Sequence, residues 1–183
     1  MLGLDFGIAV STGDVDGDGR VDVLVGQPGY MFQGGGVGVA AWSLALRKWP
    51  LTTQGHQIPL GVGGRVSLDL DAGPSHANKF YWFLTTTSGP RPGFSLLGHN
   101  VPINPDPAML LFLSNLNSTF LPTQLGFLDG GGRGGTFFQI VPGLGTDLIG
   151  VTFDFAAAVF CPQFPAGLCL DLASNARPVT LVQ

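Results

Sequence analysis

The sequence predicts an all-β fold, and three observations carry that reading. Among 183 residues there are 29 glycines and 14 prolines, which leaves little room for long uninterrupted helices. Glutamate is absent and lysine occurs only at Lys48 and Lys79, so the usual solvent-face helix formers are missing. Runs rich in Val, Leu, Phe and Thr alternate between apolar and polar residues and are separated by Gly/Pro turns. With 45% hydrophobic residues a core of adequate size is available, and the length suits one or two domains.

The most informative element comes first. Asp14-Val-Asp-Gly-Asp-Gly-Arg-Val-Asp22 sets carboxylates at relative positions 1, 3, 5 and 9, with glycines at 4 and 6. Ca²⁺ takes six to eight oxygen ligands, and alternate residues of a tight loop can aim Asp14, Asp16 and Asp18 at one point. Asp22 closes the shell, and the carbonyl of Arg20 is the natural backbone ligand. Gly19 stands where such a loop turns sharply. Without a cation, four carboxylates this close repel one another. An EF-hand is excluded: it needs a bidentate Glu at position 12, where this chain has Val25, and a following helix. Val21-Asp-Val-Leu-Val-Gly26 reads instead as a strand.

These residues, with Phe6-Gly-Ile-Ala-Val10 before them and Val23-Leu-Val-Gly-Gln-Pro-Gly29 after, resemble one FG-GAP repeat. Such repeats form blades of integrin-α-type β-propellers, many of them in secreted bacterial proteins. The resemblance covers residues 3–45. It implies that the carboxylate loop joins two strands of a blade and binds Ca²⁺. A closed propeller needs several blades, whereas this chain shows one repeat. No basic start with a 7–15-residue apolar segment precedes the repeat. Met1 is therefore expected to be internal to a longer exported protein, with this blade the last of an array. Gly36-Val-Gly-Val-Ala-Ala-Trp-Ser-Leu44 is expected to finish the blade. The loop Gly34-Gly-Gly36, after Tyr30 and Phe32, is of the kind that meets partners in propellers.

The expected domains are therefore a single repeat over 1–46, a linker over 47–60 and an antiparallel β-sandwich over 61–183. In the sandwich, Arg65-Val-Ser-Leu-Asp-Leu-Asp71 points Val66, Leu68 and Leu70 inward and Ser67, Asp69 and Asp71 outward. Residues 79–84, 108–113 and 136–141 add strands. Val151, Phe153, Phe155, Ala157 and Val159 share one face of the next, and 178–182 forms the last. The order Asn104-Pro-Asp-Pro107, Gly126-Phe-Leu-Asp-Gly130, Ile140-Val-Pro-Gly143, Leu148-Ile-Gly-Val-Thr152 and Ser174-Asn175 is similar to a C-terminal β-domain of secreted proteins from environmental bacteria. That resemblance is nearly silent on function, since fold does not imply activity.

Charge and cysteine limit the function classes. The chain has 12 Asp and 8 Lys plus Arg, for a net charge of −4. Four of the Asp lie in the loop, so one bound Ca²⁺ would halve that charge. No basic surface remains for nucleic acid, and Arg133 within Gly130-Gly-Gly-Arg-Gly-Gly135 reads as part of a hairpin loop. No apolar run approaches the ~20 residues of a membrane span. Cys161 and Cys169 either bridge adjacent strands or remain as two buried thiols. A bridge would place the chain in an oxidising, extracellular compartment. No zinc spacing, nucleophile elbow, phosphate loop or dinucleotide fingerprint is present.

The remaining candidates are few. His56, His76 and His99 lie in turn-like contexts without ligand spacing. Asp69 and Asp71 form either a solvated outer face or a second cation or acid/base pair. Phe80-Tyr-Trp-Phe83 puts aromatics on both faces of one strand, so that Tyr81 or Trp82 either contacts a sugar or protein partner or is covered inside the sandwich. Asn117-Ser-Thr119 is a glycosylation sequon. The expected function is a non-enzymatic, calcium-binding extracellular module for surface adhesion or protein/glycan contact. The alternatives are a self-assembling structural protein, a homo-oligomer joined through unpaired sheet edges, and the accessory region of a secreted hydrolase.

Overall fold

The structure, a computed structural model, describes residues 9–13, 22–31, 37–44, 50–163 and 167–183. The chain divides into two compact units, Met1–Lys48 and Trp49–Gln183. Among the described residues there are fourteen strands and one α-helix.

The first unit contains β1 (Ala9–Gly13), β2 (Asp22–Met31) and β3 (Val37–Leu44), an antiparallel sheet in the order β1-β2-β3. The β2–β3 register slips between Pro28 and Tyr30, an irregularity centred on Gly29.

The second unit begins with β4 (Leu51–Gln54) and β5 (Gln57–Pro59). Within the expected 47–60 linker, the described residues 50–60 contain two short strands: β4 pairs with one sheet, β5 pairs parallel with the last strand of another, and Leu51, Ile58 and Leu60 are buried. Pro50, Gly55 and Pro59 cut it into pieces too short to show a strand periodicity, yet its apolar side chains go to the core.

β6 (Gly64–Asp71) follows, with Val66, Leu68 and Leu70 buried as their alternation predicts. β7 (Phe80–Thr86), the hairpin β8 (Phe94–Leu96) and β9 (His99–Val101), β10 (Leu125–Phe127) and β11 (Arg133–Ile140) come next. The chain ends with β12 (Thr152–Gln163), β13 (Gly167–Ala173) and β14 (Arg177–Val182). The smaller sheet has the order β11-β6-β4. The larger runs β10-β7-β12-β14-β5, with β13 also on β12, and curls like half a barrel.

β12 organises the unit. Phe155, Ala157 and Val159 join one cluster with Leu68, Leu70 and Phe138 of the smaller sheet. Ala156, Ala158 and Phe160, on its other face, join Val101, Ile103 and Met109 from the segment between β7 and β10. The strand was expected to bury one face; it buries two.

Residues 108–113 form a helix, not a strand. α1 (Pro107–Ser114) starts where the Asp106 side chain caps the Met109 N–H at 2.8 Å and Pro107 occupies the first turn. Ala, Met and Leu are good helix formers. An unbroken apolar run gives no period by which to tell strand from helix. Likewise 130–135 is not a hairpin loop: β10 lies in the larger sheet and β11 in the smaller, so this segment crosses between them.

Asp106 also accepts from the Thr87 N–H at 2.7 Å, the Thr87 hydroxyl at 2.8 Å and the Ser88 hydroxyl at 3.0 Å. Burial, the largest single influence, would raise its pKa. The hydrogen bonds from Met109, Thr87 and Thr86 together outweigh it and hold the pKa at about 2. The sign follows: a depressed carboxyl stabilises the fold above its unfolded value near 4, and that contribution is lost as pH falls toward 2. Asp154 titrates in the opposite sense, because burial pushes its carboxyl up.

Two predictions follow from these contacts. Denaturant melts at several pH values compare wild type with Asp106→Asn, which keeps a capping oxygen but cannot ionise; the wild-type advantage shrinks between about pH 4 and pH 2. A Cβ at Gly132, whose φ is +75°, would lie 1.7 Å from the Gly73 carbonyl oxygen. Gly132→Ala is expected to cost about 2 kcal/mol or more in the same melts.

Candidate metal centre

β1 and β2 pair in the register Ala9↔Gly26 through Gly13↔Asp22. Directly opposed residues in an antiparallel pair lie about 4.5–5.5 Å apart, so the acidic segment starts and ends at one cross-strand pair. Its last carboxylate, Asp22, is the first residue of β2. A strand, not a helix, follows the acidic segment. Asp14, Asp16, Asp18 and Arg20 lie outside the described residues, as do residues 32–36 with the glycine loop.

Within the described residues no group of three or more His, Cys, Asp or Glu side chains is arranged to hold a metal. Asp69 accepts a hydrogen bond from Gln54 Nε2 at 3.2 Å, and Asp71 lies 3.7 Å from Arg133 Nε. Both carboxylates are engaged along the face of the smaller sheet. His56 Nδ1 is 3.2 Å from the Thr53 hydroxyl, and His99 is exposed in β9. Asn117 has a left-handed backbone (φ 53°), and its carbonyl oxygen accepts from the Leu125 N–H.

The aromatic candidates go inward. Tyr81 is only 5% exposed, and its hydroxyl donates to the Gly135 carbonyl at 3.3 Å. A Cβ at Gly126 or Gly134 would come within 2.6 Å of the Tyr81 ring or hydroxyl, so these glycines form the slot that admits it. Burial pushes the phenol pKa up. Tyr81 is therefore a core residue. Trp82 is half-buried against the second cluster, with its indole N–H enclosed and unpartnered.

Cys161 and Cys169 form a disulfide between directly paired residues of β12 and β13, with Cα atoms 5.2 Å apart.

A cluster that sequence reasoning missed lies near that hairpin. The β12–β13 register shifts between Val159 and Phe160, so Leu172 and Leu170 are paired and Asp171 is the extra residue. Its carboxylate pairs with the Lys79 ammonium and lies 3.2 Å from His76 Nε2, while His76 Nδ1 lies 3.0 Å from the Ser75 hydroxyl. The order hydroxyl, imidazole, carboxylate resembles a nucleophile relay. Here, however, Ser75 and His76 are sequence neighbours in an exposed turn, and Lys79 shares the carboxylate. The arrangement fastens β13 to the 74–79 turn. No sequence signal marks the bulge that aims Asp171.

The FG-GAP repeat family model matches residues 6–42, within the first unit. No curated protein and no solved structure matches the chain. None of the described helices is long and apolar enough to cross a membrane.

The disulfide closes a loop of eight-residue separation. Loop entropy assigns such a closure about 2–3 kcal/mol. Urea melts of the Cys161→Ala/Cys169→Ala variant are expected to show that loss, and reduced wild type a similar one.

Proposed function

We propose that this chain is a non-enzymatic, calcium-stabilised extracellular module for surface adhesion or for contact with a protein or glycan. The observation that carries this reading is the FG-GAP match over 6–42, which contains Asp14, Asp16, Asp18 and Asp22 at calcium-loop spacing. The Gly13↔Asp22 pairing supports it, because it holds both ends of that segment together. The donor set fits the ion: carboxylate and carbonyl oxygens are what a hard cation prefers, and no softer ligand is among them. The disulfide fits an oxidising compartment, where free calcium is also abundant.

In this reading Ca²⁺ neutralises four mutually repelling carboxylates and ties the β1–β2 connection into one geometry. The ion is structural: it stiffens a surface that a partner meets. The second unit, in the same reading, is a β-sandwich that serves as a rigid support, since its two sheets share one apolar cluster.

A self-assembling role is the second reading. Among the described residues β1 and β3 are the edges of a three-stranded sheet, and open edges recruit strands. Light scattering separates the two readings, because a stable monomer removes self-assembly.

Binding to the folded state alone stabilises by about 2.7 kcal/mol at a hundredfold excess over Kd. Millimolar Ca²⁺ is therefore expected to raise the melting temperature of the wild type, and EGTA to reverse the rise. Asp16→Ala is expected to melt like the EGTA-treated protein with or without Ca²⁺. An unchanged wild-type melt, or a normal response in Asp16→Ala, would sink the calcium reading.

A further inference from the structure

The second unit contains an apolar trough, walled in part by the core residues Phe112, Phe138 and Leu181, that the calcium reading does not use. A cavity of about 430 Å³ lies among α1, Phe138 of β11 and Phe153 of β12. A second, of about 210 Å³, adjoins it. Leu111, Phe112 and Phe120 line both, so the two adjoin along these side chains. Cavities that hold small molecules run from roughly 300 to 1,000 Å³ and are mostly apolar with few polar groups.

Its surroundings fit that description. In the larger cavity every lining residue is apolar except Thr87, and no charged side chain lines either one. α1 carries no charge, yet Leu110 and Leu111 are 67% and 61% exposed. A helix apolar on all sides is ordinarily covered, and an exposed apolar patch beside a concavity marks a binding surface. A walled trough suits one slender molecule better than the broad face of a protein.

Thr87 is the polar residue of the larger cavity, and the smaller one adds Asn115 and Ser118. The Thr87 hydroxyl donates its proton to Asp106 at 2.8 Å, leaving the oxygen only as an acceptor. The Asp106 carboxylate, whose pKa is held at about 2, is ionised at neutral pH and repels an anion placed beside it.

We infer that this trough binds a single uncharged, extended aliphatic molecule ending in a hydroxyl group, with the chain along Leu111, Phe112 and Phe120 and the hydroxyl donating toward Thr87. A fatty acid has the right chain and the wrong head.

The test uses the full chain at pH 7 with N-phenyl-1-naphthylamine, an uncharged probe that fluoresces in apolar surroundings. Enhancement is expected to saturate at one probe per chain. Displacement by 1-decanol should be about tenfold tighter than by 1-octanol, as two further buried methylenes require. Decanoate should displace at least tenfold more weakly than 1-decanol. Ala108→Trp, which puts an indole into the larger cavity, should weaken probe binding severalfold. The ladder and the head-group preference of the unaltered protein test the site even if that variant misfolds. Lack of saturable enhancement, equal displacement by decanoate, or undiminished binding in a folded Ala108→Trp would overturn the inference. So would a stable dimer in light scattering that excludes the probe, since a second copy would then be the occupant.

Discussion

The second unit depends on β12 being satisfied in four directions at once. A buried strand must pair its backbone groups along both edges, because an orphaned amide or carbonyl away from water is costly. β7 supplies one edge; β14 and then β13 supply the other, changing over along twelve residues. Both faces must also be apolar and covered. The run Phe155-Ala-Ala-Ala-Val159 meets that demand with small side chains, so that a second sheet and the 87–113 segment approach closely. Without that segment, Ala156, Ala158 and Phe160 would face water; without the smaller sheet, Phe155 and Val159 would.

Short polar side chains fasten the smaller sheet to the larger and brace the 87–113 cover internally. Ser174 accepts from the Ala157 N–H at 2.7 Å and donates to the Asn175 carbonyl. Asn175 takes the Leu51 N–H and gives its amide to the Leu51 carbonyl, both at 3.0 Å. That pair of bonds ties β4 of the smaller sheet to the turn between β13 and β14. On the other side, Asn104 binds the Ser88 and Arg91 carbonyls and the Gly93 N–H, fixing the turn that precedes β8. These are side chain–backbone bonds made by residues too short to reach far, and they satisfy buried backbone where the ladders stop.

Period-two alternation made β6 legible, where a polar residue stands between each apolar pair, whereas in β12 it marked the strand but not its second buried face. It failed at α1, where Ala108 through Leu113 contains no polar residue to set a phase. The helix start was present in Asp106 and Pro107, but a cap has meaning only once the following residues are allowed to be helical. Residues 50–60 misled in a different way: Pro and Gly punctuate a linker and a pair of very short strands alike, and only the burial of Leu51 and Ile58 tells them apart. Tyr81 was ambiguous for want of its partners, since the glycines that make room for it stand 45 and 53 residues later. The bulge at Asp171 was invisible, because a register shift belongs to two strands and not to one. For the acidic segment, the carboxylate spacing is what the sequence offers, and the structure adds the Gly13↔Asp22 pair beside it.

The same composition that removes helices also decides how charge is used. With no Glu, every carboxylate side chain is a short Asp, and the long ionic side chains are two Lys and six Arg. Asp reaches backbone amides within its own turn more readily than a distant cation. Asp106 and Asp129 do so, the latter accepting from the Gly131 and Arg133 N–H groups, which lower its pKa. Ion pairs such as Lys79 with Asp171 are half-exposed and contribute little beyond about 1 kcal/mol. Stability in the second unit therefore rests on apolar burial and local hydrogen bonds, both weakly sensitive to salt. The acidic segment near the amino end is the exception. It concentrates four of the twelve Asp in nine residues.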